Sequence, residues 1–204
     1  MGKQIKSKKR VSEHGEVFTA ESEVNAMIDL VQDELIQLKS TVLEPACGTG
    51  NFLIEILKRK MNTVYKIYQS RYEYELYSML VFSTIYGLDI QKDNVLESRS
   101  LLLNWFIDDY LLRFQDLPSK QLQSALKFIL QKNIQCADSL AMLNEKSQNL
   151  IISEWNLCED GKMIRKDVYY KDLINGIENH YIKSYSYKWM KQKENIGGFD
   201  LQYA

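Results

Sequence analysis

The chain has 204 residues, long enough for one sizeable buried core but short for an enzyme that also carries a separate recognition domain. Its 26 Lys and Arg against 27 Asp and Glu leave a formal net charge of -1, which excludes the overall basic excess that coats nucleic acid, so any such affinity is local. No apolar run reaches the roughly 18 residues needed to span a bilayer, and the basic start lacks the apolar segment of a secretory signal, so no membrane partner and a cytoplasmic location are expected. Three cysteines without Cys-x-x-Cys spacing and two histidines support neither a disulfide frame nor a metal site.

Residues 1–14 read as a basic flexible arm, with Lys3, Lys6, Lys8, Lys9 and Arg10 clustered at its start. From Ser22 the spacing of Val24, Met27, Ile28, Val31, Leu35 and Leu38 predicts one helix lying on a sheet. Thr41 to Glu44 is β-prone and meets Pro45. After it, Ala46-Cys47-Gly48-Thr49-Gly50 is a small-residue loop before helical periodicity resumes at Phe52, Leu53, Ile56 and Leu57, with a break expected near Asn62 and further helix to Phe82. The tyrosines along it, Tyr65, Tyr68 and Tyr72, fit helix packing better than a platform for bases.

Thr84 to Leu88 is a second β-prone run ending at Asp89, and helix is predicted again from Asn94 onward. A helix from Lys120 to Gln131 leads into a third strand that ends at Asp138 and Ser139. Strands separated by helices predict a parallel, doubly wound α/β sheet with its ligand at the carboxyl ends of the strands.

Between Gly161 and Lys193, eight basic residues stand against three acidic ones, with five tyrosines and Trp189 interleaved. Two readings stand side by side: a nucleic-acid surface built from phosphate contacts and stacking, and an amphipathic insertion whose aromatics pack inward.

The glycines of Pro45 to Gly50 let main-chain atoms approach a ligand closely, which suits a pyrophosphate or the amino-acid part of a nucleoside-linked methionine. Asn51-Phe52-Leu53 follows Gly50, so the third small residue of the dinucleotide fingerprint is missing and the second ligand is favoured. Asp89 is placed to accept from two ribose hydroxyls, and Asp138 with Ser139 to hold an adenine amine; either acid alone is also an ordinary helix cap.

Taken in order, these segments resemble the cofactor-binding part of the gamma-type N6-adenine DNA methyltransferases of restriction-modification systems. The residues that carry the likeness are Gly15 to Ala20, where Ala20 replaces the usual proline; Leu43-Glu44-Pro45-Ala46-Cys47-Gly48-Thr49-Gly50-Asn51-Phe52-Leu53; Tyr86-Gly87-Leu88-Asp89-Ile90; and Cys136-Ala137-Asp138-Ser139-Leu140. The resemblance implies a Rossmann-like S-adenosylmethionine-dependent fold over 15–204, with a basic aromatic insertion at about 155–195. It implies S-adenosylmethionine as cofactor, held by Phe18, Thr19, Glu44, Pro45, Ala46, Cys47, Gly48, Gly50, Asp89, Ile90, Asp138 and Ser139, and DNA as substrate.

The family's Asn-Pro-Pro-Tyr catalytic tetrapeptide is expected next, after a strand of Phe-Asp-apolar type. Phe199-Asp200-Leu201 has that form, yet Pro45 and Pro118 are the only prolines and are not adjacent. No catalytic residue is therefore assigned, the sheet is expected to be incomplete in its C-terminal half, and the isolated chain is expected to bind cofactor without turnover. The resemblance places the Phe199 strand at the sheet centre, so a bare apolar edge is expected to recruit either a second copy or a complementary catalytic or specificity chain. A non-catalytic cofactor- or DNA-binding partner module is the competing reading.

Overall fold

The computed structural model describes residues 19–159, 161–177, 180–191 and 197–200. Its fold is mixed α/β and contains two four-stranded sheets. In the first, β1 (Val42–Glu44), β2 (Ile85–Asp89) and β3 (Ile134–Asp138) lie in chain order and parallel, and short β4 (Leu143–Asn144) joins β3 antiparallel. The register sets Val42 beside Ile85, Glu44 beside Gly87 and Asp89 beside Cys136, which brings the three strand tips to one end of the sheet.

The crossovers are helical because their apolar residues recur at helical spacing. α3 (Asn51–Ile67) buries Leu53, Ile56, Leu57, Lys60, Met61 and Val64 along one stripe. It runs unbroken through Asn62, which is exposed and costs little there. The interruption expected at Asn62 falls instead at Tyr68 to Ser70, where the Ser70 hydroxyl accepts the Glu73 N–H and starts α4 (Arg71–Ser83). α5 (Lys92–Phe114) and α6 (Lys120–Asn133) connect β2 to β3. Tyr68 stacks on Tyr77, and Tyr74, Phe106 and Tyr110 form an aromatic core between α4 and α5, so the tyrosines serve packing.

The single helix expected from Ser22 is two, α1 (Glu21–Asp29) and α2 (Gln32–Ile36), and both pack on α3 rather than on a sheet. The Arg59 guanidinium fixes the joint. Its Nη1 donates to Asp29 Oδ1 at 2.6 Å and Gln32 Oε1 at 2.8 Å. Lys60 is wholly buried beneath, its Nζ donating to the Ser40 carbonyl at 2.6 Å and to the carbonyls of Gln37 and Leu38.

The second sheet is antiparallel, in the order β5 (Ile151–Leu157), β6 (Lys162–Tyr169), β7 (Tyr181–Lys191), β8 (Gly197–Asp200), with the short α7 (Tyr170–Ile174) between β6 and β7. Along β2, alternate residues serve different neighbours. Gly87 meets Leu53 of α3, whereas Tyr86 and Leu88 join Ala137 in a core with Leu150, Ile152, Val168 and Tyr170. The Tyr86 hydroxyl donates to the Ser153 carbonyl at 2.8 Å, tying the two sheets together.

This arrangement corrects the expected place of Phe199. Its strand pairs antiparallel with β7, Trp189 beside Phe199, at the outer edge of the second sheet and not among the parallel strands. A parallel neighbour needs a crossover of a dozen or more residues, and only 192–196 separate β7 from β8, a span that suits a hairpin-type return. The bare central edge expected at Phe199 is therefore not there; among the described residues, the parallel strand with one ladder neighbour is β1.

In the basic segment Tyr170 and Tyr187 are buried, whereas Tyr181 is exposed. Phe128 of α6 packs against Trp155 and Tyr187, and the buried Arg165 guanidinium lies 3.9 Å from the centre of the Tyr185 ring while pairing with Asp167. Lys166 sits over Tyr181 and is the register partner of Glu154, and Asp172 pairs with His180. The Arg165 charge is thus matched within its own strand.

Candidate functional site

A cavity of about 520 Å³ opens at the carboxyl ends of β1, β2 and β3. Its floor is the turn between β1 and α3, where Gly48 and Gly50 both have positive φ, 53° and 96°. Two main-chain bonds set the turn: Cys47 N–H donates to the Leu88 carbonyl at 2.8 Å, and Gly50 N–H to the Cys47 carbonyl at 2.9 Å. A side chain at Gly50 meets steric resistance as well as backbone strain, because its Cβ falls 2.6 Å from the Ser98 Oγ of α5.

Each acidic strand tip is already engaged by main chain. Asp89 Oδ2 accepts the Gly48 N–H at 2.9 Å, and its Oδ1 accepts the Gln91 N–H at 2.6 Å and the Asn94 amide at 3.4 Å. Asp138 Oδ1 accepts the N–H groups of Leu140 and Ala141 at 2.9 and 2.8 Å. Glu44 Oε1 accepts the Ala46 N–H at 3.1 Å. A carboxylate has about four acceptor positions, so these bonds orient the groups and leave capacity for a ligand.

Thr19, Glu44, Pro45, Ala46, Cys47, Gly48, Asp89, Ile90, Asp138 and Ser139 all line the cavity. Gly50 lies behind it against α5, shaping the turn without lining the space. Phe18, with Gly15 to Val17, lies outside the described residues. Sequence reasoning missed Thr49, Asn51, Phe52, Gln91, Asn94 and Leu140, which also line it. Their signal was proximity: each stands within five residues of a glycine or acidic tip already singled out.

Three carboxylates line the cavity, and no Lys, Arg or His does so among the described residues. The Cys47 thiol is pushed up to about 12 by burial, reinforced by the negative charges of Asp89 and Glu44, so it stands neutral. No group of His, Cys, Asp and Glu suited to a metal occurs among the described residues, and none of their helices is long and apolar enough to cross a membrane.

No curated protein and no solved structure matches the chain. Residues 4–101, which span the glycine turn, the Asp89 tip and the start of α5, match a family model described as N-6 DNA Methylase, and this match supports an N6 DNA methyltransferase family.

Proposed function

We propose that the chain is the S-adenosylmethionine-binding portion of a DNA adenine-N6 methyltransferase, of the gamma type found in restriction-modification systems, with a Rossmann-like parallel sheet and a cytoplasmic setting. The observation that carries this reading is the charge of the cavity: Glu44, Asp89 and Asp138 face it without a balancing cation among the described residues. Carboxylates attract a sulfonium and an ammonium group and repel a pyrophosphate, so the cavity favours the methionine-linked nucleoside over a dinucleotide. The family match over 4–101 supports the same chemistry.

When bound, the cofactor supplies an electrophilic methyl group. The chain's own residues bind and orient: Asp89 accepts from the ribose hydroxyls, Asp138 accepts the exocyclic amine, and the amides of the glycine turn meet the methionine end, with Thr19 beside it. No residue here is assigned to activating the target amine, since no two of these 204 residues form a Pro-Pro pair. That sequence fact favours a second reading, a cofactor-binding module whose catalytic segment lies outside these residues. Such a segment would add a strand beside β1, whose Leu43 is 38 % exposed.

Radiolabelled methyl transfer to adenine-containing duplex DNA, run beside cofactor binding, tests both readings. Incorporation by the purified chain supports the enzyme; binding without incorporation supports the module; absence of binding overturns both.

A further inference from the structure

We infer that a second cavity, formed where α5 meets β3 and the turn after β4, is a binding site for a phosphate monoester. It is separate from the carboxylate cavity and does not depend on the cofactor reading. The space measures about 280 Å³, just under the ~300 to 1,000 Å³ of sites that bury a drug-sized ligand, so it suits a phosphate with a small attached group.

Three cations line it. Lys92, Val95, Leu96 and Arg99 recur at helical spacing and give the cavity one face of α5, while Gln91 and Asn94, on the adjoining face, line the carboxylate cavity. Arg99 is held in place by main chain: its Nε donates to the Ile134 carbonyl at 2.9 Å and its Nη2 to the Gln131 carbonyl at 3.3 Å. Nη1 takes no part in these bonds. Lys146 comes from the turn after β4, which Asn144 fastens, its Oδ1 accepting the Lys146 and Gln148 N–H groups at 2.9 and 3.0 Å. Lys92 pairs with Glu145 of that turn at 3.0 Å, so an ion pair joins the two walls.

Charge identifies the ligand. Glu145 is the one carboxylate among the described residues that line this space, and burial, reinforced by Glu145, raises the Cys136 thiol there, so the thiol adds no negative charge at neutral pH. Three positive charges against one negative leave a balance of +2. A phosphate monoester, with its second pKa near 6, carries close to two negative charges at neutral pH, whereas a phosphodiester carries one. An arginine whose plane is fixed beforehand and two lysines supply charge-assisted donors to the three terminal oxygens of a monoester. Adjoining faces of α5 thus serve an anionic cavity and a cationic one.

The test is titration of inorganic phosphate, ribose 5-phosphate and a short DNA duplex into the chain at constant ionic strength, without S-adenosylmethionine, followed by amide NMR shifts and calorimetry. Ribose 5-phosphate is expected to saturate with a Kd on the order of 1 mM or below, at least as tightly as inorganic phosphate, and to move the Lys146 and Gln148 amide signals. Lys146→Gln is expected to weaken it about fivefold and Glu145→Gln to tighten it about fivefold. Both side chains are exposed, so the thermal midpoint without ligand is expected to stay in place. Absence of saturation, or equal affinity in both variants, overturns the inference. Binding of inorganic phosphate with no response to ribose 5-phosphate overturns the monoester assignment. A response to duplex DNA alone, lost in Lys146→Gln, also overturns it and assigns the cations to a diester backbone.

Discussion

The carboxylate of Asp89 holds the main-chain N–H of Gly48 at 2.9 Å, joining the tip of β2 to the glycine turn that follows β1. The proposed ribose acceptor is therefore also the latch of the loop beside it. Its other oxygen takes the Gln91 N–H at 2.6 Å, fixing the start of α5 in the same place. The two roles separate by substitution. Asp89→Asn keeps the shape and one acceptor oxygen but turns the other position into a donor facing a donor. It is expected to cost about 1–3 kcal/mol of folding stability and at least tenfold in S-adenosylmethionine affinity. Urea unfolding and calorimetry measure the two effects, and unchanged affinity in Asp89→Ala removes the ribose contact.

Gly50→Ala meets two obstacles at once, a left-handed backbone at φ 96° and a contact of 2.6 Å with Ser98 Oγ. We expect a loss of about 2 kcal/mol or more, from backbone strain together with overpacking. Ser98→Gly in the same chain removes the Oγ and Cβ contacts and leaves the strain, at a helix cost of its own of about 1 kcal/mol, so Gly50→Ala is expected to cost less in the Ser98→Gly background than in the wild type. Full recovery, or none, in urea unfolding contradicts this division.

Ser98 supplies a separate expectation, because its buried hydroxyl has no hydrogen-bond partner. Ser98→Ala removes an unsatisfied polar group and leaves the shape almost unchanged. It is expected to raise the unfolding free energy by about 1 kcal/mol, and a destabilised variant shows that the hydroxyl has a partner after all.

At Gly87 a Cβ falls 2.7 Å from Leu53 Cδ1 and 3.0 Å from Cys47 Sγ. Gly87→Ala therefore pushes α3 and the glycine turn away from β2. The expected cost is about 1–3 kcal/mol, with weaker cofactor binding because the turn moves. Wild-type affinity in a folded Gly87→Ala chain would show that the turn is decoupled from β2.

Burial lowers the Lys60 ammonium to about 8, against an ordinary value of 10.5. Between these values the unfolded chain binds more protons than the folded one, so this group makes stability rise with pH across about 8 to 10.5 and withdraws that contribution as pH falls through 8. Cys47 acts in the opposite sense above pH 9, since its folded thiol holds a proton that the unfolded thiol releases. Relative to Lys60→Met, the wild type is therefore expected to gain stability from pH 8 to 10.5 in denaturant titrations. A constant difference across that range contradicts the buried, depressed ammonium.

The parallel half of the fold was legible in the sequence because its signals are local. Pro45 and the glycines mark the turn, and each strand run ends at an acid that reaches the cavity. Asp89 and Asp138 were correctly placed at strand tips, but the Asp89 bond to Gly48 was not visible, since it depends on how β2 meets the turn after β1. The break at Ser70 was missed because a serine cap looks like any polar residue within a helical pattern. Phe199 was misplaced for a different reason: its sequence resembles a central parallel strand, while the five residues before β8 allow an antiparallel return only. The basic aromatic segment was balanced between two readings. Arg165 among Tyr185, Trp155 and Phe128 shows why composition alone did not decide, because the rings that pack on it come from α6 and the two flanking strands.

The central claim is that an anionic crevice at three strand tips accepts a cationic nucleoside. Titration of the wild-type chain with S-adenosylmethionine and, in parallel, with NAD tests it most directly. The account predicts saturable binding of the first and none of the second at the same concentration; binding of NAD as tightly as S-adenosylmethionine, or no heat with either, would contradict it.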